Sequence, residues 1–231
     1  MLDKKKIIVI ISARGGSKRI KNKNLSKFGK NNLIGNCIEN AKKSKLIDKI
    51  VINTDSKKIK SAAENCGISV PFLRKKYADD KSQVDIATWH GLVQAENFFG
   101  KKYDIVVQLI PNCPFVTGKL IDKALLNFKK NRYRSQISYS KFIYSKPEWA
   151  VKIDTQKKKI IHLNKLKFNY RSQDLGNSYY PTGVVWISTV KALKKYKSFR
   201  SPGFTYFICD YRSSIDIDTL EEMKVAKFFI K

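Results

Sequence analysis

Over the first 130 residues, apolar runs of strand length alternate with segments of helical period. Residues 6–12 (Lys-Ile-Ile-Val-Ile-Ile-Ser) form a continuous β-branched run, the pattern of a strand buried on both faces. Ile34, Ile38 and Ala41 then fall on one face of a helix expected at 33–43. A second strand is expected at 49–53. Asp55-Ser56 suits the N-cap of a helix running to about Cys66, with Gly67 as its stop. Residues 70–73 read as a third strand, 84–99 as a long helix ended by Gly100, 104–110 as a buried strand and 118–130 as a helix. This alternation predicts parallel β-α-β units in an α/β domain, with functional loops beyond the carboxyl ends of the strands. After about Arg134 the pattern changes. Residues 135–154 and 158–170 alternate and are Tyr-rich, as antiparallel strands or an arm would be; strands at 183–188 and 205–209 and a helix at 220–230 follow.

The chain has 231 residues, 42% of them hydrophobic, enough for one sizeable core; a single domain over 1–231 is expected, with a β-rich insertion at roughly 138–180. The aliphatic run at 7–11 is far shorter than the ~20 residues of a membrane helix, and Arg14 follows it at once. A soluble cytoplasmic protein with no membrane partner is the expectation. Charge complicates this: 47 Lys+Arg against 19 Asp+Glu gives +28. A nucleic-acid binder is one reading of that balance. Only eight of the 47 are Arg, however, and the lysines are spread through every segment, as on a solvated surface rather than a specific nucleic-acid interface. Cys37, Cys66, Cys113 and Cys209 form no C-x-x-C pair, so zinc-ribbon and thioredoxin chemistry lack support. His90 and His162 have no metalloprotease or triad-like spacing around them.

Two loops carry candidate chemistry. Ser12-Ala13-Arg14-Gly15-Gly16-Ser17-Lys18-Arg19 directly follows the first strand. Glycines let backbone approach a ligand closely, successive amides form an anion-binding concavity, and Arg14, Lys18, Lys21 and Lys23 add positive charge. Neither the Walker A nor the G-x-G-x-x-G spacing is present. The second loop is Ser214-Ile215-Asp216-Ile217-Asp218-Thr219, where carboxylates at i and i+2 of an extended segment project to one side. Oxygen donors beside a phosphate suggest Mg²⁺; the alternative is an Asp that merely caps the following helix. Together, a basic glycine loop and a D-x-D pair supply both halves of a metal-assisted nucleotidyl-transfer site.

Arg14-Gly15-Gly16-Ser17-Lys18 with Lys23-Asn24-Leu25, Asn53-Thr54-Asp55-Ser56, the strand and loop from Asp104 to Phe115, Arg171-Ser172-Gln173-Asp174-Leu175 with Tyr180-Pro181-Thr182-Gly183, and Ser214 to Thr219 occur in this order. The set resembles the signature of the CMP-sialate synthetases (acylneuraminate cytidylyltransferases) over nearly the whole chain. The resemblance implies a Rossmann-like nucleotide-diphospho-sugar transferase fold, mostly parallel and flanked by helices, and a homodimer built through the insertion. The reaction implied is CTP plus an acidic 2-keto sugar giving CMP-sugar and pyrophosphate. It further implies that Arg14, Gly15, Gly16, Ser17, Lys18 and Lys23 hold the triphosphate, with Arg14, Lys18 and Lys23 catalytic. Asn24, Arg74 and Ser82 would serve the base or ribose. Asp216 and Asp218 would be catalytic and bind Mg²⁺, and Asn112, Arg171, Gln173 and Thr182 would serve the sugar.

The chain departs from the family pattern mainly on the sugar side. Ile110 stands for a Gln, Tyr180 for an Arg and Thr182 for an Asn, and Trp149 falls near a position basic in sialate-specific members; Lys21 stands for a loop Pro. A nonulosonic acid other than sialic acid is the acceptor this implies. A ketodeoxyoctonate cytidylyltransferase is the rival of the same fold, and a non-enzymatic basic nucleic-acid-binding protein the rival of another class.

Overall fold

The computed structural model describes residues 2–79 and 81–230. Strand β1 (Ile7–Ser12) is central because it is apolar on both faces: Ile7, Val9 and Ile11 pack to one side, Ile8 and Ile10 to the other. A turn at Lys23–Leu25 and a small hairpin, β2 (Lys27–Phe28) with β3 (Asn31–Asn32), lead into helix α1 (Leu33–Lys42), capped where Asn32 accepts from the Gly35 N–H at 2.8 Å. Strand β4 (Lys49–Asn53) and helix α2 (Lys57–Asn65) follow, the latter capped by Ser56. Then come α3 (Val84–Phe99), ended by left-handed Gly100, β5 (Ile105–Leu109) and α4 (Gly118–Lys130). The remainder comprises β6 (Gln136–Lys141), β7 (Val151–Asp154), β8 (Lys159–His162), β9 (Tyr179–Pro181), β10 (Trp186–Thr189), α5 (Val190–Tyr196), β11 (Thr205–Ile208) and α6 (Leu220–Phe228).

The main sheet has seven strands in the order β11-β6-β10-β5-β1-β4, with β9 added to β6. Strands β4, β1, β5, β6 and β11 run one way and β10 and β9 the other, so the sheet is mixed but mostly parallel. Helices cover both faces. Ile34, Ile38, Ile121 and Phe128 of α1 and α4 pack against one; Leu92 and Ala95 of α3, with Phe199, against the other.

One expectation is corrected. Residues 70–73 are not a strand: Pro71 has no N–H to give a ladder. Val70 is buried, and the chain instead carries Arg74 back to the end of β4, where its N–H donates to the Thr54 carbonyl at 2.7 Å. The stretch expected from 135 as antiparallel strands or an arm supplies both. Gln136–Lys141 joins the main sheet, and only 142–178 leaves it, closed at its base where the Phe142 N–H donates to the Ser178 carbonyl at 3.0 Å. Within this arm the hairpin β7–β8 and a single 3₁₀ turn at Pro147–Trp149 are regular; most of 163–170 is turn. No described helix is long and apolar enough to cross a membrane.

Candidate active site

A cavity of about 500 Å³ opens at the carboxyl ends of β1 and β5. It brings together Arg14, Ser17, Lys18, Lys23, Asn24, Arg74, Ser82, Asn112 and Asp218, residues up to 204 positions apart in the chain. The loop after β1 is pinned by the Gly15 N–H, which donates to Asp55 Oδ1 at 2.9 Å. A Cβ on Gly15 would come within 2.9 Å of the Ser56 Cβ, so the close packing of this loop on the α2 cap requires glycine. Gly16 faces open space. Neither glycine lines the cavity; they shape the turn that presents Arg14, Ser17 and Lys18 to it.

Lys23 and Asn24 sit on the turn that follows left-handed Asn22, and both are buried. The Lys23 ammonium donates to the Ile217 carbonyl and to Asp218 Oδ1, each at 2.7 Å. Arg19 reaches Asp218 Oδ2 at 2.5 Å, and Asn112 Nδ2 lies 3.3 Å from Oδ1. Burial alone would raise the Asp218 carboxyl, but the Lys23 hydrogen bond and the Lys23 and Arg19 charges hold it below the usual carboxylate range. Asp216 goes the other way: burial and then the Asp218 charge push it up, and its Oδ1 is buried without a partner. The capping box of Thr219 and Glu222 starts α6 immediately after this pair and fixes where the segment ends.

On the opposite wall, Arg74 is 5% exposed and its Nε has no partner; burial pushes the guanidinium down, opposed by the Asp55 charge. Asn24 Nδ2 donates to the Arg14 carbonyl at 2.9 Å, while Asn24 Oδ1 is buried and unpartnered. Ser82 is held by Asp79, through its N–H at 2.9 Å and its hydroxyl at 2.8 Å.

The remaining sugar-side residues lie elsewhere. Arg171 and Gln173 are exposed on the arm, outside the cavity lining, and Arg171 is paired with Asp174 at 2.8 Å. Thr182 is buried in the sheet, its hydroxyl donating to Ser138 Oγ at 2.9 Å. Of the positions that depart from the family pattern, Ile110 lines the cavity; Tyr180 meets Ser214 Oγ at 3.1 Å, and Trp149 donates to the Tyr170 carbonyl on the arm. Sequence reasoning did not single out Tyr77, Asp79 or Arg19, which also line the cavity. Arg19 was legible as the cation next to Lys18; Tyr77 and Asp79 carry no signal of their own. Burial pushes the Cys113 thiol far up, which removes it as a nucleophile at neutral pH.

A basic, glycine-shaped loop, a buried polar wall and a carboxylate pair on one mixed sheet define a nucleotidyltransferase-like site. The cytidylyltransferase family profile matches residues 8–226, and the chain belongs to that family. It is 29% identical to the pseudaminic acid cytidylyltransferase of Campylobacter jejuni, over 98% of this chain and 97% of that one. It is 34% identical to the CMP-N,N'-diacetyllegionaminic acid synthase of Legionella pneumophila, over 93% and 91%. Among solved structures, the CMP:2-keto-3-deoxy-manno-octonic acid synthetase complexed with CTP superposes with a TM-score of 0.71 at 13% identity, covering 97% of this chain and 98% of that one.

Proposed function

We infer that this enzyme transfers the cytidylyl group of CTP to a nonulosonic acid of the pseudaminic or legionaminic type, releasing pyrophosphate. The observation that carries the nucleotide half is the pair of orphaned atoms in the cavity wall. The Arg14 carbonyl can only accept, so Asn24 must turn its NH₂ toward it and keep Oδ1 for a ligand. An acceptor there and a guanidinium donor at Arg74 Nε complement the cytosine edge, which offers an exocyclic amine and two acceptors. Leaving each atom unpaired costs about 1–3 kcal/mol, recovered when the base fills the site.

In the reaction, the sugar's anomeric hydroxyl oxygen forms a bond to the α-phosphorus. The bond from that phosphorus to the bridging oxygen breaks, and pyrophosphate leaves with the electron pair; the hydroxyl proton passes to the carboxylate pair or to water. Arg14, Lys18 and Lys23 orient the triphosphate and balance the charge that collects on the departing pyrophosphate. Asp216 and Asp218 suit Mg²⁺ in donor type; Asp218 lines the cavity, and the Asp216 Oδ1 behind it is buried without a partner. Among the described residues no cluster of three or more His, Cys, Asp or Glu could hold an ion alone, so an Mg²⁺ held by the aspartates would also need oxygen ligands from the substrate or water. Mg²⁺ so held supplies charge neutralisation on the phosphates.

The acceptor assignment rests on the sugar-side residues, Ile110 in place of an amide above all, and on the names of the two relatives. The arm supports a homodimer: Ile153, Ile160, Leu163 and Leu166 are each more than half exposed on it, an apolar surface of the kind a second copy covers. The enzyme then works where CTP is made, in the cytoplasm. Pyrophosphate release from CTP and Mg²⁺ across pseudaminic, legionaminic, N-acetylneuraminic and ketodeoxyoctonic acids tests the reading. Turnover with one of the first two supports it. Preference for either of the last two overturns the acceptor, and absence of CTP binding overturns the reading altogether.

A further inference from the structure

A second cavity, about 740 Å³, has no lining residue in common with the first but is bounded by two of the same chain segments. Ile110 and Asn112 face the catalytic cavity, while Pro114, Phe115 and Thr117 of the same loop face the second. The segment after β11 is divided likewise: Asp218 lines the first, Arg212 and Ser213 the second. The Ile217 N–H donates to the Asn112 carbonyl at 3.0 Å and ties loop to segment.

The second cavity is cationic. Lys30, Lys119, Lys123 and Arg212 line it, against one carboxylate, Asp210. That carboxylate is already occupied by the Ser213 N–H at 2.9 Å and the Ser213 hydroxyl at 2.7 Å. Arg212 is fixed, donating to the Phe229 carbonyl at 2.7 Å and lying 5.1 Å from the Phe115 ring centroid. The three lysines pair with no carboxylate among the described residues. The chain's overall positive charge does not explain this arrangement. In the cavity lined by Ala41, Ile47 and Ile68, Lys42 is tied to Glu39 and Lys49 lies 4.2 Å from the Phe99 ring centroid, and the cavity lined by Tyr139, Tyr179 and Phe204 carries no charged residue. Four cations against one carboxylate leave an excess of positive charge on this cavity, which an anion of several charges would relieve.

We propose that the second cavity binds a diphosphate group, free or at the end of a nucleotide, and that its occupancy acts on the catalytic cavity through the shared loop and segment. An anion seated on Arg212 and the lysines pulls on Phe115 and Ser213. It thereby shifts Asn112 and Asp218 together, because the Ile217–Asn112 hydrogen bond links them.

Calorimetric titration of inorganic pyrophosphate and, separately, of CDP tests this, with the catalytic cavity filled by saturating α,β-methylene-CTP. One further equivalent is expected to bind, more weakly with rising salt. A tighter fit for pyrophosphate identifies a free diphosphate, and one for CDP a nucleotide. The variant Lys30→Glu/Lys119→Glu/Lys123→Glu, altered only at exposed positions, is expected to lose at least about tenfold in that affinity while binding the analogue as before. Should it fold poorly, Lys119→Ala/Lys123→Ala on the exposed side of α4 serves instead. No binding beside the analogue, or equal affinity in wild type and variant, overturns the proposal. If the analogue itself fails to bind, the nucleotide reading of the first cavity falls; the second is still judged by the difference between wild type and variant.

Discussion

Replacing Asn24 by Ala isolates the reading of the base. The side chain does two jobs: its NH₂ holds the Arg14 carbonyl at 2.9 Å, and that bond leaves Oδ1 as the atom offered to a nucleobase. With CTP, Oδ1 accepts from the exocyclic amine, a neutral hydrogen bond worth about 0.5–1.5 kcal/mol net. With UTP, a carbonyl oxygen faces Oδ1, two buried acceptors remain unpaired, and the penalty is about 1–3 kcal/mol. The difference of about 2–3 kcal/mol corresponds to roughly 30- to 150-fold selectivity in kcat/KM. Asn24→Ala also frees the loop at Arg14, which lowers turnover for both nucleotides alike, so the ratio and not the rate carries the answer. Measured by pyrophosphate release with one acceptor, the CTP/UTP ratio is expected to fall below about fivefold in the variant. A variant that keeps the wild-type ratio refutes the assignment of Asn24 as the reader, whatever its absolute rate.

The two aspartates are expected to shift stability in opposite directions. The Asp218 carboxyl is held low in the fold, so it contributes stability above the unfolded carboxylate pKa of about 4 that is lost as pH falls through its folded value; Asp218→Asn should lower Tm at pH 7, by progressively less as pH falls below about 4. The Asp216 carboxyl is pushed up, so its charge destabilises the fold at neutral pH, an effect that fades as pH falls through its folded value and is gone below the unfolded one; Asp216→Asn should raise Tm at pH 7, a gain that has vanished by about pH 4, and a lowered Tm at pH 7 contradicts the burial argument. Gly118→Ala is expected to cost at least about 2 kcal/mol in denaturant unfolding, because its Cβ would stand 2.4 Å from the Lys43 carbonyl carbon where α4 crosses the end of α1; a loss below 0.5 kcal/mol, roughly the scale of a surface change, shows that the backbones yield. Arg171→Ala should raise the KM for the sugar severalfold with the KM for CTP unchanged, and the reverse pattern removes Arg171 from the sugar side. Ile153→Glu with Ile160→Glu, on the exposed arm, should convert a dimer to a monomer in sedimentation; unchanged association places the interface elsewhere.

The nucleotide side of the site was legible because its chemistry is local in sequence. A strand apolar on both faces can only be central, so the loop leaving it had to lie at the carboxyl edge of the sheet, and Gly15, Arg14 and Lys18 followed within a few residues. The carboxylate pair was legible for a similar reason, since two acids at i and i+2 are conspicuous in a chain with 19 of them. Composition could not show that Lys23 and Arg19 neutralise Asp218, because ion pairs across nearly 200 residues leave no periodic trace. The segment 70–73 was misread for a definite reason. Val70, Phe72 and Leu73 have strand composition, but Pro71 denies the ladder a donor, and the chain instead bends to deliver Arg74, Tyr77 and Asp79 to the cavity.

The sugar side was the least legible, and the fold gives the cause. Of the four residues assigned to the acceptor, Asn112 reaches the cavity; Thr182 is spent inside the sheet on Ser138, and Arg171 and Gln173 ride on an arm that leaves it. The arm exposes apolar residues, and if a second copy covers them, a sugar pocket built partly from the arm would depend on an assembly that no single sequence encodes in its own periodicity. The acceptor therefore has to be read from substrates, and the state of assembly measured in the same samples. If Arg171 serves the sugar of a neighbouring copy, Arg171→Ala and Ile153→Glu/Ile160→Glu should raise the same KM, and mixing the two variants should restore it only where their chains can still pair.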